Sequence, residues 1–309
     1  MIISRSILAC LLTLAATPAA AAETWLRTVT ESYPSVSPDG GQVIFQTDAP
    51  GRGALFIADS DGSNARPFLD NGHDPATPVW SPDGKRIAYC ETVGDQEEIF
   101  VINADGSGRR RLTAAPGHDS HPHWGADDRI YFSSPRATPD ITAPWERQWH
   151  SIYSMMPDGS DVRLQIACRT VCTYPVLSPD RSRIVFRKVV ARPSFSWELT
   201  PATRDSNVVV TNPDGSGERD LSGSVSFDGW PMWSPDGRWI AFTSNRMGPA
   251  SVGQIFLVRP DGSQLHQLTS GPWSHAQPSF SPDGRTLFLF KLDENQGKQF
   301  GFIATVPLP

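Results

Sequence analysis

The chain has 309 residues, is 39% hydrophobic and carries a formal net charge of −6. That mildly acidic balance, with no basic stripe, excludes nucleic-acid binding as a principal task. Beyond an N-terminal apolar run there is no second long apolar stretch, so no membrane-spanning helix is expected.

In chain order, residues 1–22 read as a secretory signal peptide. Arg5 is the positive lead-in, Ser6 to Ala16 is an apolar run too short to span a bilayer comfortably, and small residues follow up to a cleavage point after Ala22. The remaining chain, 23–309, is then exported to the periplasm or secreted, with 26 basic against 33 acidic residues. It is expected to form one domain.

That domain is written as a repeat. The copies are YPSVSPDGGQVIF from Tyr33, TPVWSPDGKRIAY from Thr77, HPHWGADDRIYF from His121, YPVLSPDRSRIVF from Tyr174, WPMWSPDGRWIAF from Trp230 and QPSFSPDGRTLFLF from Gln277. Measured from Ser37 through Ser81, Gly125, Ser178, Ser234 and Ser281, the steps are 44, 44, 53, 56 and 47 residues. Such a period marks stacked supersecondary units. Each unit continues into a second signature, as in LFIADSDGSNARPF from Leu55 and IFLVRPDGSQLHQLT from Ile255. Short β-branched and aromatic runs alternate with Asp-Gly, whose residues tolerate the positive φ of tight hairpins.

One unit therefore reads as four antiparallel strands, a to d, and six units as an all-β, six-bladed β-propeller. Trp80, Trp124, Trp233 and Phe280 occupy one equivalent place and are expected between blades. The last unit shows no second Asp-Gly and no strand d. Thr24–Thr28 is expected to supply that strand and complete the C-terminal blade.

Cys168 and Cys172, in CRTVC, are close enough to form a disulfide, which an oxidising compartment permits. Cys90 lies in an apolar strand pattern and reads as a buried free thiol.

The motifs resemble the TolB-type propeller repeat, a WD40-like or PD40 unit of P-x-W-S-P-D-G followed by an Asp-Gly hairpin and Leu-Thr. The resemblance covers the chain from Tyr33 onward. It implies an envelope protein of the periplasm that binds partner proteins. TolB itself carries an α/β domain ahead of its propeller. Here about ten residues separate the leader from the first repeat, so that domain is expected to be missing and the Tol–Pal role does not carry over directly. Related propellers also cap serine peptidases of the prolyl oligopeptidase type, but no Gly-x-Ser-x-Gly pentapeptide occurs.

Strand alternation puts the a–b and c–d turns on one face and the b–c and d–a connections on the other. The irregular sequence falls on the second face. Two long b–c connections carry Trp145, Trp149, Phe195 and Trp197, which either form a partner-binding rim or a platform for stacking sugar rings, or cover one another. The d–a connections add His73, His118, His121, His123 and His275. His118, His121 and His123, with His275, are candidate ligands for a divalent transition metal. Alternatively, His121 fills the place of Tyr33, Tyr174 and Trp230, and His123 points between blades. Resemblance to oligogalacturonate lyases implies a metal held by such histidines, with His118 standing where their Gln does and His121 and His123 matching their ligand pair. In that reading Arg136, Arg147 or Arg192 would hold a uronate carboxylate.

The leading expectation is a monomeric, cofactor-free binding or scaffold module for an envelope or periplasmic protein. The alternative is a metal-dependent lyase of acidic oligosaccharides.

Overall fold

The computed structural model describes residues 24–25, 31–48, 52–143, 147–190, 206–247, 252–295 and 298–308. The expected leader over residues 1–22 lies outside them. The described strands form six four-stranded antiparallel sheets. Ahead of the first sheet is β1 (Thr24–Trp25). Blade 1 is β2 (Glu31–Val36), β3 (Gln42–Thr47), β4 (Ala54–Asp59) and β5 (Arg66–Leu69). Blade 2 is β6 (Ala76–Trp80), β7 (Arg86–Val93), β8 (Gln96–Asn103) and β9 (Arg110–Arg111). Blade 3 is β10 (Ser120–Trp124), β11 (Ile130–Ser134), β12 (Ser151–Met155) and β13 (Arg163–Ile166). Blade 4 is β14 (Cys172–Leu177), β15 (Ile184–Val189), β16 (Ser206–Thr211) and β17 (Arg219–Asp220). Blade 5 is β18 (Asp228–Trp233), β19 (Ile240–Ser244), β20 (Gln254–Val258) and β21 (His266–Gln267). Blade 6 holds β22 (Ser274–Phe280), β23 (Thr286–Asn295) and β24 (Lys298–Pro307).

The fourth strand of the last sheet is β1, antiparallel to β24 with Thr24 opposite Thr305 and Trp25 opposite Ala304. The expected strand over Thr24–Thr28 is thus described for its first two residues, and residues 26–30 lie outside the description. Blades 6 and 1 also pack directly, with Phe288 and Ile303 in one apolar cluster with Val43, Phe45 and Phe56. The Tyr33 backbone N–H donates to Gln277 Oε1 at 2.8 Å across the same seam.

Between blades, the equivalent aromatics do what the repeat predicts. Trp80 packs with Ile44, Leu55 and Ile57 of the preceding blade, and Trp124 with Ala88, Ile99 and Val101. Trp233 sits on Val176, Val185 and Val208, and Phe280 on Ala241, Ile255 and Leu257. Val36 and Leu177 take this place in blades 1 and 4, in contact with blades 6 and 3.

The Ser-Pro-Asp-Gly turns are closed by their own side chains. In blade 2, Ser81 Oγ donates to Asp83 Oδ1 at 2.6 Å and accepts the Arg86 N–H at 2.9 Å. The same pair recurs at Ser37/Asp39, Ser178/Asp180, Ser234/Asp236 and Ser281/Asp283. Blade 3, which reads Gly-Ala-Asp-Asp, keeps the turn by other means. Asp128 takes the left-handed conformation (φ 60°) and accepts the Trp124 Nε1–H at 2.8 Å.

These bonds hold the turn carboxyls below the ordinary aspartate value of 3.8, chiefly through the serine hydroxyl, at Asp39, Asp83, Asp180, Asp283 and, to about 2, at Asp236. A depressed folded-state value means that the unfolded chain takes up protons first. The stability these turns contribute is therefore complete above about pH 4 and lost as pH falls through the folded values. Thermal melts from pH 7 down to pH 2.5 should show stability falling steeply below pH 4, and less steeply in Asp236→Asn. Ser81→Ala removes both hydroxyl bonds and should cost about 1–2 kcal/mol in urea denaturation. Deleting residues 24–30 should lower Tm by several degrees, because β24 loses its outer partner; an unchanged melt would refute the pairing.

Candidate functional site

Backbone bonds fix which connections share a face. Ser60 N–H donates to Gly41 O and Ala104 N–H to Lys85 O, joining a–b and c–d turns at one end of the blades. Thr92 N–H donates to His73 O, Asp119 N–H to Glu97 O and His275 N–H to Gly253 O, joining b–c and d–a connections at the other.

Every innermost strand carries the same irregularity. Its pairing register shifts at an x-Pro step in all six blades. The pre-proline residues Tyr33, Thr77, His121, Tyr174, Trp230 and Gln277 all have φ between 48° and 55°. Proline has no N–H for the ladder, and its ring bars the preceding residue from the ordinary helical region. The bulge accommodates both constraints, at the cost of a backbone region that side chains disfavour. The six pre-proline residues thereby line a common narrow cavity of about 100 Å³ on the axis.

That axis is plugged. Blades 1 and 4 face each other across the ring, and the Tyr33 and Tyr174 hydroxyls lie 3.2 Å apart with their rings stacked at 6.4 Å. His121 lies 3.9 Å from the Tyr174 ring centroid, and Trp230 meets Tyr174 edge-on at 6.1 Å. Burial raises both phenol pKa values, so the hydroxyls stay protonated.

Above the plug, on the b–c/d–a face, opens a cavity of about 470 Å³. Glu97, His118, His121, His150, Tyr33 and Tyr174 line it. His121 Nδ1 lies 3.0 Å from Ser120 Oγ and 3.1 Å from Ser133 Oγ. His118 Nδ1 accepts the Glu97 backbone N–H at 3.2 Å. Burial, reinforced by His150 and Arg187, brings the His121 pKa down to about 3, and burial brings His123 down to about 4. Burial pushes the Glu97 carboxyl up, opposed by His118. Arg187 is buried alongside, its Nε–H donating to Ser206 Oγ at 3.1 Å and its guanidinium 4.9 Å from the Phe227 ring centroid.

The sequence-selected residues are thus partly dispersed. His118 and His121 share the mouth cavity, whereas His123 lines the axial cavity. His275 is buried in blade 6 with Nδ1 2.9 Å from Gln254 Oε1, and His73 is exposed on the connection between blades 1 and 2. Among the described residues, no group of three or more His, Cys, Asp or Glu side chains is placed to hold a metal ion. Trp149 is half-buried, its N–H donating to Thr138 Oγ1 at 2.7 Å and its ring 5.8 Å from the Arg169 guanidinium. Trp145, Phe195, Trp197 and Arg192 lie outside the described residues. Arg136 is engaged by buried Asp119 at 2.6 Å and stacks on Phe132 and Tyr153, and is not free for a ligand carboxylate. Cys168 and Cys172 are joined as a disulfide, and Cys90 is a buried free thiol.

Glu97, His150 and the paired tyrosines escaped the sequence reading. The six x-Pro steps were legible as a repeat, and their varied first residues were the available signal. Nothing local distinguishes Glu97 from Glu98.

No helix among the described residues is long and apolar enough to cross a membrane. No family model matches the chain. A TolB homologue from Chlorobium luteolum is 27% identical over 131 residues, covering 33% of this chain and 30% of that protein. The crystal structure of TolB from Acinetobacter baumannii superposes with a TM-score of 0.66 and 19% identity, covering 82% of this chain and 57% of that one. An oligogalacturonate lyase in complex with manganese superposes with a TM-score of 0.58 and 14% identity, covering 94% of each chain. The molecule is a six-bladed β-propeller with a blind axial mouth. Its repeats and these matches make it similar to TolB proteins, and it spans less than two thirds of the length of the two TolB relatives named here.

The depressed values of His121 and His123 have a directly observable consequence. Neither imidazole should titrate between pH 8 and pH 5 in nitrogen-15 NMR of the folded protein. Because unfolding frees both to protonate near the ordinary 6.5, stability should also fall as pH drops below that value. Replacing both residues with glutamine should flatten this part of the profile.

Proposed function

We propose that the chain is an exported, periplasmic binding module of the cell envelope that engages a protein partner through its b–c/d–a face. The observation that carries this reading is apolar exposure on the face where the mouth cavity opens. Val225 and Met247, at 92% and 69% exposure, exceed the other exposed large apolar side chains among the described residues, and both stand on this face. Solvent-exposed apolar groups on the same face as a cavity suit protein docking. The opposite face carries turns whose side chains satisfy their own backbones. Likeness to TolB proteins supports an envelope role, and the leader-like residues 1–22 support export.

The competing reading is a lyase of acidic oligosaccharides that depends on a divalent metal, supported by likeness to the manganese-bound lyase. It requires His121, which lines both cavities, and His123, which lines only the axial one, to bind one metal together.

Two measurements separate these readings. A photo-crosslinking residue at His73 or Met247 should capture an envelope protein in intact cells, and the same residue at Asn64 or Leu265 on the turn face should not; equal capture from both faces would sink the docking assignment. Elemental analysis of the purified protein should show no stoichiometric transition metal. One metal per chain, lost in His121→Ala/His123→Ala, would favour the lyase reading instead.

A further inference from the structure

Four buried carboxylates on this half of the propeller are each held by an arginine. Glu98 pairs with Arg111 at 2.5 Å, Asp119 with Arg136 at 2.6 Å, Asp228 with Arg246 at 2.8 Å, and Glu91 is held by Arg109. Each is almost fully buried, and each has its cation built into the chain. A carboxylate removed from water without such a partner is costly.

Glu97, partly buried at the cavity wall, has no such partner. It adjoins Glu98 in β8, yet its carboxylate makes no hydrogen bond or ion pair among the described residues and faces the mouth cavity. No lysine or arginine lines that cavity. Its other walls are two phenol rings, three imidazoles and the side chains of Gln46, Ala76, Thr77 and Ser120. A neutral sugar would offer the carboxylate hydroxyl donors but no counter-charge, and an anion would meet it with like charge. A metal ion lacks three placed ligands. A cation with a flat, weakly hydrated face meets both the charge and the aromatic walls, which describes a guanidinium better than an ammonium.

We propose that the cavity is a receptor for an arginine side chain presented by the partner, with Glu97 pairing the guanidinium and the Tyr33 and Tyr174 rings packing beside it. This rests on the protein-binding reading and names the group that the face selects. The volume of about 470 Å³ exceeds one arginine side chain and leaves room for flanking backbone.

The test uses the mature chain labelled with nitrogen-15 and two blocked tripeptides, acetyl-Gly-Arg-Gly-amide and its citrulline counterpart, which has nearly the same shape without the charge. The arginine peptide should produce saturable shifts at Glu97, His118 and Ser120, with the citrulline peptide at least tenfold weaker. Glu97→Gln should weaken arginine binding at least tenfold while leaving Tm unchanged. Equal binding of the two peptides, no saturable shift, or undiminished binding in Glu97→Gln would overturn the proposal. If that variant does not fold, the two-peptide comparison on the unaltered protein decides alone. A face that crosslinks a partner while the cavity ignores arginine overturns this inference only. A cavity that selects arginine while the face captures nothing overturns the partner reading only.

Discussion

A four-stranded blade carries apolar side chains on both faces, and only a neighbour on each side can cover them. The whole architecture depends on that requirement. Trp80, Trp124, Trp233 and Phe280 each lie against the strands of the preceding blade, so every sheet is completed by the next. The seam between blades 6 and 1 joins residues from opposite ends of the chain, through Phe288 and Ile303 on one side and Val43 and Phe45 on the other. A ring held in this way fixes its innermost strands rigidly, and those strands carry the site.

The x-Pro step in each innermost strand converts a local backbone constraint into a property of the axis. Proline cannot extend the ladder, the residue before it enters the left-handed region, and its side chain lines the channel. Where that residue is Tyr33, His121, Tyr174 or Trp230, the side chains meet and stop the axis. The result is a cup with an aromatic floor. Burial keeps the tyrosines protonated and His121 neutral, so the floor offers hydrogen bonds and π faces with little charge. Glu97 adds a carboxylate to the wall above that floor, and buried Arg187 lies behind it near Tyr174.

Two departures from the repeat show how function and structure share the same positions. Blade 3 replaces Ser-Pro-Asp-Gly with Gly-Ala-Asp-Asp, yet Asp128 adopts the glycine conformation and ties down Trp124, so the change is a different solution to one turn. Arg136, a basic residue in a long and irregular connection, is consumed by Asp119 and two aromatic rings. Loop arginines and histidines are conspicuous in the sequence, but several are committed to holding the loops to the blades.

The sequence by itself determined the blade count, the strand order within each blade, the inter-blade aromatics, the division of connections between two faces and the Cys168–Cys172 pairing. These follow from short-range rules: hairpin chemistry at Asp-Gly, period-two alternation, and a spacing that repeats. Tertiary structure decided which histidines meet, because His118 and His121 share a cavity, while His123 and His275 are separated from it by alternation and by blade position. It alone brought Tyr33 to Tyr174, 141 residues apart, and left Glu97 without the arginine that its neighbour Glu98 holds. Contacts across a ring depend on how each blade is rotated about the axis, and no local pattern encodes that rotation.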